Sequence, residues 1–204
     1  MNDTYYVLQS AAEFQFKEKG SRFLAYAFPV ESEDEAKQKL TELRKKYYDA
    51  THHCYAYTVG YPKATTRQSD DGEPSGTAGL PIQNQIRAKG VQNTLVVVVR
   101  YYGGTKLGAA GLVQAYKTAA AGVLNEAVLK ERYLTAKVTV KVPFAHLNEV
   151  MTIAKKQKQQ PLFEENTANP EIQHLSFRVK LGELPVFEAA LQPLHYIDFV
   201  VETV

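Results

Sequence analysis

The apolar positions of this chain follow three patterns: alternation, helical recurrence and one continuous run. Thr4–Gln9, Glu13–Lys17 and Arg22–Val30 are rich in Tyr, Phe and Val, and Lys19-Gly20-Ser21 breaks the last two apart, so three strands are predicted. Ser32 and Glu35 then form a capping-box pattern. Ala36, Leu40, Leu43 and Tyr47 follow at helical spacing, with Arg44, Lys45 and Lys46 near the end that favours cations. His52–Val59 reads as a further strand, and Gly60–Gly76 as a long polar loop, a length that is often functional. A helix is predicted from Thr77 or Leu80 to Lys89, closed by Gly90. Thr94–Val99 is an apolar run suited to a strand buried on both faces. Gly103–Gly108 then turns into an alanine-rich helix ending near Glu126, with Leu112, Ala115, Tyr116, Ala119 and Val123 inward.

The pattern restarts at Leu134. Leu134–Val142 is a strand with Val138, Val140 and Val142 alternating, and a helix runs from Pro143 to about Gln159. Leu162–Asn166 and Glu171–Leu181 read as paired strands around Asn169-Pro170, Glu183–Leu191 as a short helix and His195–Glu202 as the last strand. This β-α-β-β-α-β order is the ferredoxin-like arrangement. The reading is therefore α+β with two domains, residues 1–132 and 133–204, divided near Lys130–Tyr133.

Composition changes this picture little. The hydrophobic share, 45%, and charged share, 23%, of the 204 residues are those of a globular protein, and no apolar run reaches membrane-span length. A net charge of +2 is too weak to indicate nucleic-acid binding by itself, so any basic surface must come from clustering. Cys54, the single cysteine, has no partner for an internal disulfide. The expectation is a cytoplasmic protein that is not membrane-bound.

Four segments carry a family resemblance: Lys19–Phe23 (KGSRF), Asp49–Cys54 (DATHHC), Ser69–Gly79 (SDDGEPSGTAG), and Arg100–Gly108 (RYYGGTKLG) continuing through Gly111–Tyr116 (GLVQAY). On them the chain resembles the IMPACT/YigZ family (UPF0029). The resemblance implies a first domain of the fold seen in elongation factor G domain IV and a ribosomal protein, and a second similar to domain V of that factor. It implies a role in regulation of translation, with RNA, the ribosome or a protein as partner. It supplies no catalytic residues and no cofactor, and the chain reads as a binding module rather than an enzyme.

The residues themselves suggest anion chemistry. Gly103, Gly104 and Gly108 lie in a turn between a buried strand and a helix start, where amides and the helix dipole favour negative charge. Arg100 and Lys106 flank it with full charges, and Tyr102 adds an aromatic face for base stacking. The turn lacks the Gly-Lys-Ser/Thr ending of a phosphate-binding P-loop, and the glycines could equally serve tight packing. The second loop offers Ser75, Gly76 and Thr77, as amide donors or, for Ser75 or Thr77, as a helix N-cap. Asp70, Asp71 and Glu73 suit either a hard cation such as Mg²⁺ or ion pairs with the nearby bases. The first of these would serve an enzyme acting on a phosphorylated small molecule. His52 and Cys54 fall on one strand face and His53 on the other, and read as packing residues. Tyr55, Tyr57, Tyr61 and Tyr101 are further aromatic candidates near the two loops, although half-buried strands also favour tyrosine. The two loops are expected to meet in one cleft.

Overall fold

The computed structural model describes residues 3–164, 169 and 171–203. The chain divides into two compact units, Tyr5–Glu131 and Met1–Thr4 with Arg132–Val204. Its elements, in order, are β1 (Thr4–Leu8), β2 (Ala12–Glu18), β3 (Ser21–Pro29), α1 (Glu33–Lys46), β4 (His52–Val59), β5 (Thr65–Ser69), α2 (Gly79–Lys89), β6 (Thr94–Tyr101) and α3 (Gly108–Glu126). Then come β7 (Leu129–Tyr133), β8 (Thr135–Pro143), a 3₁₀ turn (Phe144–His146), α4 (Leu147–Lys156), β9 (Pro161–Glu164), β10 (Ile172–Lys180), α5 (Leu184–Leu191) and β11 (Asp198–Thr203).

An antiparallel five-stranded sheet in the order β2-β3-β6-β4-β5 organises the first unit. Its centre, β6, is buried on both faces, which explains the unbroken run Leu95–Val99. Strand alternation sends Leu95, Val97 and Val99 to the core that α1 covers, with Leu40 and Leu43. It sends Val96 and Val98 to the opposite core, with Ile82 and Ile86 of α2 and Ala119, Ala120 and Val123 of α3. By the same period Arg100, the next residue of that row, faces the α2–α3 side. Small residues let α3 approach closely: a Cβ on Gly122 would lie 2.4 Å from the Phe14 ring.

The second unit holds a four-stranded antiparallel sheet in the order β11-β8-β10-β9. Val138, Val140 and Val142 of β8 join Leu175, Phe177 and Val179 of β10 in a core with Val150 of α4 and Phe187 of α5.

Several boundaries differ from the sequence reading. The loop Gly60–Gly76 contains β5, whose residues Thr-Thr-Arg-Gln-Ser lie almost wholly exposed at the sheet edge and so carry no apolar alternation. The stretch read as a boundary, Lys130–Tyr133, does contain the division between the units, after Glu131, but it lies in a strand, β7, which pairs with β1. Pro143 ends β8, and the helix begins only at Leu147 after the 3₁₀ turn. β11 starts at Asp198, because Leu194 and Ile197 donate back to Leu191 and Leu194 in consecutive turns. Asn166 and Pro170 lie outside the described residues.

Candidate functional site

At one end of the five-stranded sheet, Arg100 is flanked in register by Phe23 on β3 and His52 on β4. Its guanidinium is buried, with the residue 5% exposed. Nη1 donates to Glu73 Oε1 at 2.6 Å, and Nη2 to Ser21 Oγ at 3.3 Å. Glu73, 8% exposed, also accepts a bond of 2.7 Å from the Tyr116 hydroxyl of α3. The Cys54 thiol lies between the Tyr116 hydroxyl, at 3.3 Å, and the Asp70 carbonyl, at 3.0 Å. One guanidinium and one carboxylate thus neutralise each other inside the core, tied to α3 through a phenol. Arg100 Nε has no hydrogen-bond partner.

Beside this pair a cleft of about 320 Å³ opens, lined by Glu73, Pro74, Arg100, Tyr102, Lys106 and Gly108 among others. Residues from both predicted loops therefore share one cleft. The first turn of α3 forms part of its wall: the helix has no side-chain cap and no acidic residue in that turn. The start of α3, with its orphan amides and the positive end of its dipole, therefore lines the cleft with no carboxylate of its own first turn to balance it. Tyr102 is 46% exposed, and its hydroxyl donates to the Gly104 carbonyl at 2.7 Å, which fixes the ring above the turn. The Arg100 guanidinium carbon lies 5.6 Å from the centre of that ring.

The three glycines of the turn do two different jobs. Gly103 is a packing residue, since a Cβ there would lie 1.9 Å from the carbonyl carbon of Gly20, and its amide donates to Ser21 Oγ at 3.2 Å. Gly104 and Gly108 have φ of 86° and 71° with open space where a side chain would project. They leave the approach to the α3 amides clear.

Residues 19–124 match the Impact N-terminal domain family. The chain belongs to the IMPACT family. It is 34% identical over 150 residues to the IMPACT family member YvyE of Bacillus subtilis (strain 168), covering 74% of this chain and 69% of that one. It is 42% identical over 112 residues to the IMPACT family member YigZ of Escherichia coli (strain K12), covering 54% and 53%. A crystal structure of a hypothetical protein superposes over 100% of this chain and 98% of its own, with a TM-score of 0.71 and 25% identity. Both loops and every residue of the cleft fall within the segment that defines the family.

Within this IMPACT domain two of the second loop's candidate amide donors, those of Gly76 and Thr77, are engaged internally. The amides of Gly76, Ala78 and Gly79 all donate to the Asp70 carboxylate, at 2.8, 2.9 and 2.8 Å. The Thr77 amide and hydroxyl both go to the Pro74 carbonyl. An internal carboxylate already occupies the Gly76 amide and the amides that start α2. For the same reason neither Ser75 nor Thr77 caps α2; Asp70 does so from outside the helix. Burial raises the Asp70 pKa, but the three amide bonds outweigh it and hold the carboxyl below its ordinary value.

Nor do Asp70, Asp71 and Glu73 converge. Asp71 accepts from Arg44 Nη2 at 2.6 Å and from the His53 amide at 2.7 Å, while its carbonyl bonds His52 Nδ1 at 2.8 Å. The three carboxylates point to three separate sets of protein donors, and among the described residues no His, Cys, Asp and Glu group forms a metal site. Burial lowers the His53 pKa, against the pull of Asp71, and its Nε2 has no partner. Burial likewise pushes the Cys54 thiol and the Tyr116 phenol up, so both stay neutral.

Of the five candidate tyrosines, Tyr102 alone lines the cleft. Tyr57 is buried and donates to Glu33 at 2.6 Å, Tyr101 donates to Asp49 at 2.7 Å, Tyr61 stacks on Tyr5, and Tyr55 packs against the α1 core. Two contributors were not anticipated from sequence, Ser21 and Tyr116. Tyr116 carried a signal: a hydroxyl among Leu112, Ala115 and Ala119 on the apolar face of α3 must find a partner.

Proposed function

We propose that this IMPACT-family chain is a cytoplasmic RNA- or ribosome-associated binding module that influences translation, and that it contacts phosphate at the cleft between Arg100 and the start of α3. In this reading the first unit has the elongation-factor domain IV-like fold. The second is ferredoxin-like, which the β-α-β-β-α-β order and the sheet order β11-β8-β10-β9 support.

The observation that carries the reading is the coincidence, in one cleft, of the uncapped start of the 19-residue α3 and the exposed Lys106, beside a buried Arg100 whose charge is balanced by Glu73. The helix start and Lys106 favour an oxyanion, and Tyr102 adds a face on which a neighbouring base can stack. A Mg²⁺-dependent reaction on a phosphorylated small molecule has less support, because the acidic residues it requires are engaged elsewhere.

Fluorescence anisotropy with a short single-stranded RNA tests this. The wild-type chain is expected to bind, and Lys106→Glu to lose about tenfold or more in affinity while the unfolding midpoint stays unchanged. Absence of RNA binding by the wild-type chain overturns the proposal.

A further inference from the structure

A second cleft lies on the other side of Leu107, within the same unit, and we propose that it receives the nucleobase adjoining the phosphate bound in the first. The ligand of the IMPACT domain is then a phosphate with its base, taken from single-stranded RNA. This inference rests on the RNA-binding reading above and adds a subsite to it.

The cleft has a volume of about 360 Å³ and shares Leu107 with the phosphate cleft. Both volumes fall at the lower end of the range for small-ligand sites, so each suits one chemical group rather than a whole oligonucleotide. The character of the second cleft differs from that of the first. Phe16 and Leu107, partly buried, and Ala115, buried, give it an apolar floor. Gln114 and Thr118 form a polar rim, held together by a 3.3 Å bond from Gln114 Nε2 to Thr118 Oγ1. The charged residues on its border, Glu18 and Lys19, are of opposite sign. A second phosphate gains nothing from such a balance. A flat, uncharged heterocycle gains apolar contact below and carboxamide hydrogen bonds at its edge.

Helical geometry supplies the spacing. Gly108 lines the first cleft, and Gly111 and Gln114 line the second, about 4.5 and 9 Å further along the α3 axis. One turn advances ~5.4 Å, comparable to the separation of a phosphate from its own base. A Cβ at Gly111 would come within 3.2 Å of the Leu107 Cβ, so the residue between the two clefts is kept small.

The test compares two probes of equal length on the full chain, a single-stranded RNA and an abasic ribose-phosphate oligomer. The wild-type chain is expected to bind the RNA about tenfold more tightly. Gln114→Ala with Thr118→Leu, which fills the cleft without an aromatic face, is expected to lower RNA affinity toward the abasic value and to leave abasic affinity unchanged. Should the leucine disturb folding, Gln114→Ala alone, on the exposed helix face, gives the same comparison with a smaller loss. Equal wild-type affinities for the two probes overturn the inference and leave the phosphate reading standing. A preference for RNA that survives both substitutions also overturns it and assigns base contact to Tyr102. No binding of either probe overturns both proposals together.

Discussion

Arg100 and Glu73, 27 residues apart in sequence, meet at 2.6 Å with both side chains nearly excluded from solvent. The pair joins the end of β6 to the loop before α2, and Tyr116 extends it to α3. Removing one partner strands a charge in the core. Arg100→Met or Glu73→Leu alone is expected to cost about 3–5 kcal/mol of stability in urea unfolding at neutral pH. The double substitution should cost less than the sum of the two, because no uncompensated charge remains. Its recovery stays partial, since the Tyr116 hydroxyl loses its acceptor.

Asp70 gathers three amides at the start of α2, so Asp70→Ala is expected to cost about 1–2 kcal/mol at pH 7. The pH dependence has a definite sign. The folded carboxyl lies below its ordinary value of 3.8, so its contribution is complete above that value and disappears as pH falls through the folded pKa. Acid titration of stability should therefore show the wild-type and Asp70→Ala curves converging below about pH 4.

Two neighbouring glycines should respond very differently to alanine. In Gly103→Ala the new methyl collides with the Gly20 backbone at 1.9 Å, and neither strand end can yield without breaking the Ser21 bonds to Gly103 and Arg100. Gly104→Ala meets no atom and incurs only the left-handed φ of 86°, about 1–3 kcal/mol. Thermal unfolding of the two variants should place Gly103→Ala well below Gly104→Ala. The reverse order would mean that the Gly20–Gly103 approach does not hold the turn in place.

Much of the architecture was legible because its signals are periodic. The run Leu95–Val99 suited a doubly buried strand, and Val138, Val140 and Val142 marked the inner face of β8. The edge strand β5 was not legible, because an exposed polar strand has no apolar period to read. The site was half visible. The glycines, Arg100, Lys106 and Tyr102 stand in one motif, and the two loops do meet in a single cleft. What the sequence withheld was the destination of each polar group. Nothing in the string Ser69–Gly79 says that Asp70 binds amides six, eight and nine residues ahead while Glu73 binds Arg100. Those pairings depend on how the loop folds over β4, with positive φ at Asp71 and Gly72 turning the chain between the two carboxylates.

The salt dependence of RNA affinity, measured for wild type and Lys106→Gln side by side, tests the phosphate-binding account most directly. The logarithm of the association constant should fall linearly with the logarithm of salt concentration for wild type, and the glutamine variant should show a slope shallower by about 0.7, the value of one phosphate contact on a single strand. Identical slopes in the two proteins, or a wild-type affinity indifferent to salt, would contradict it.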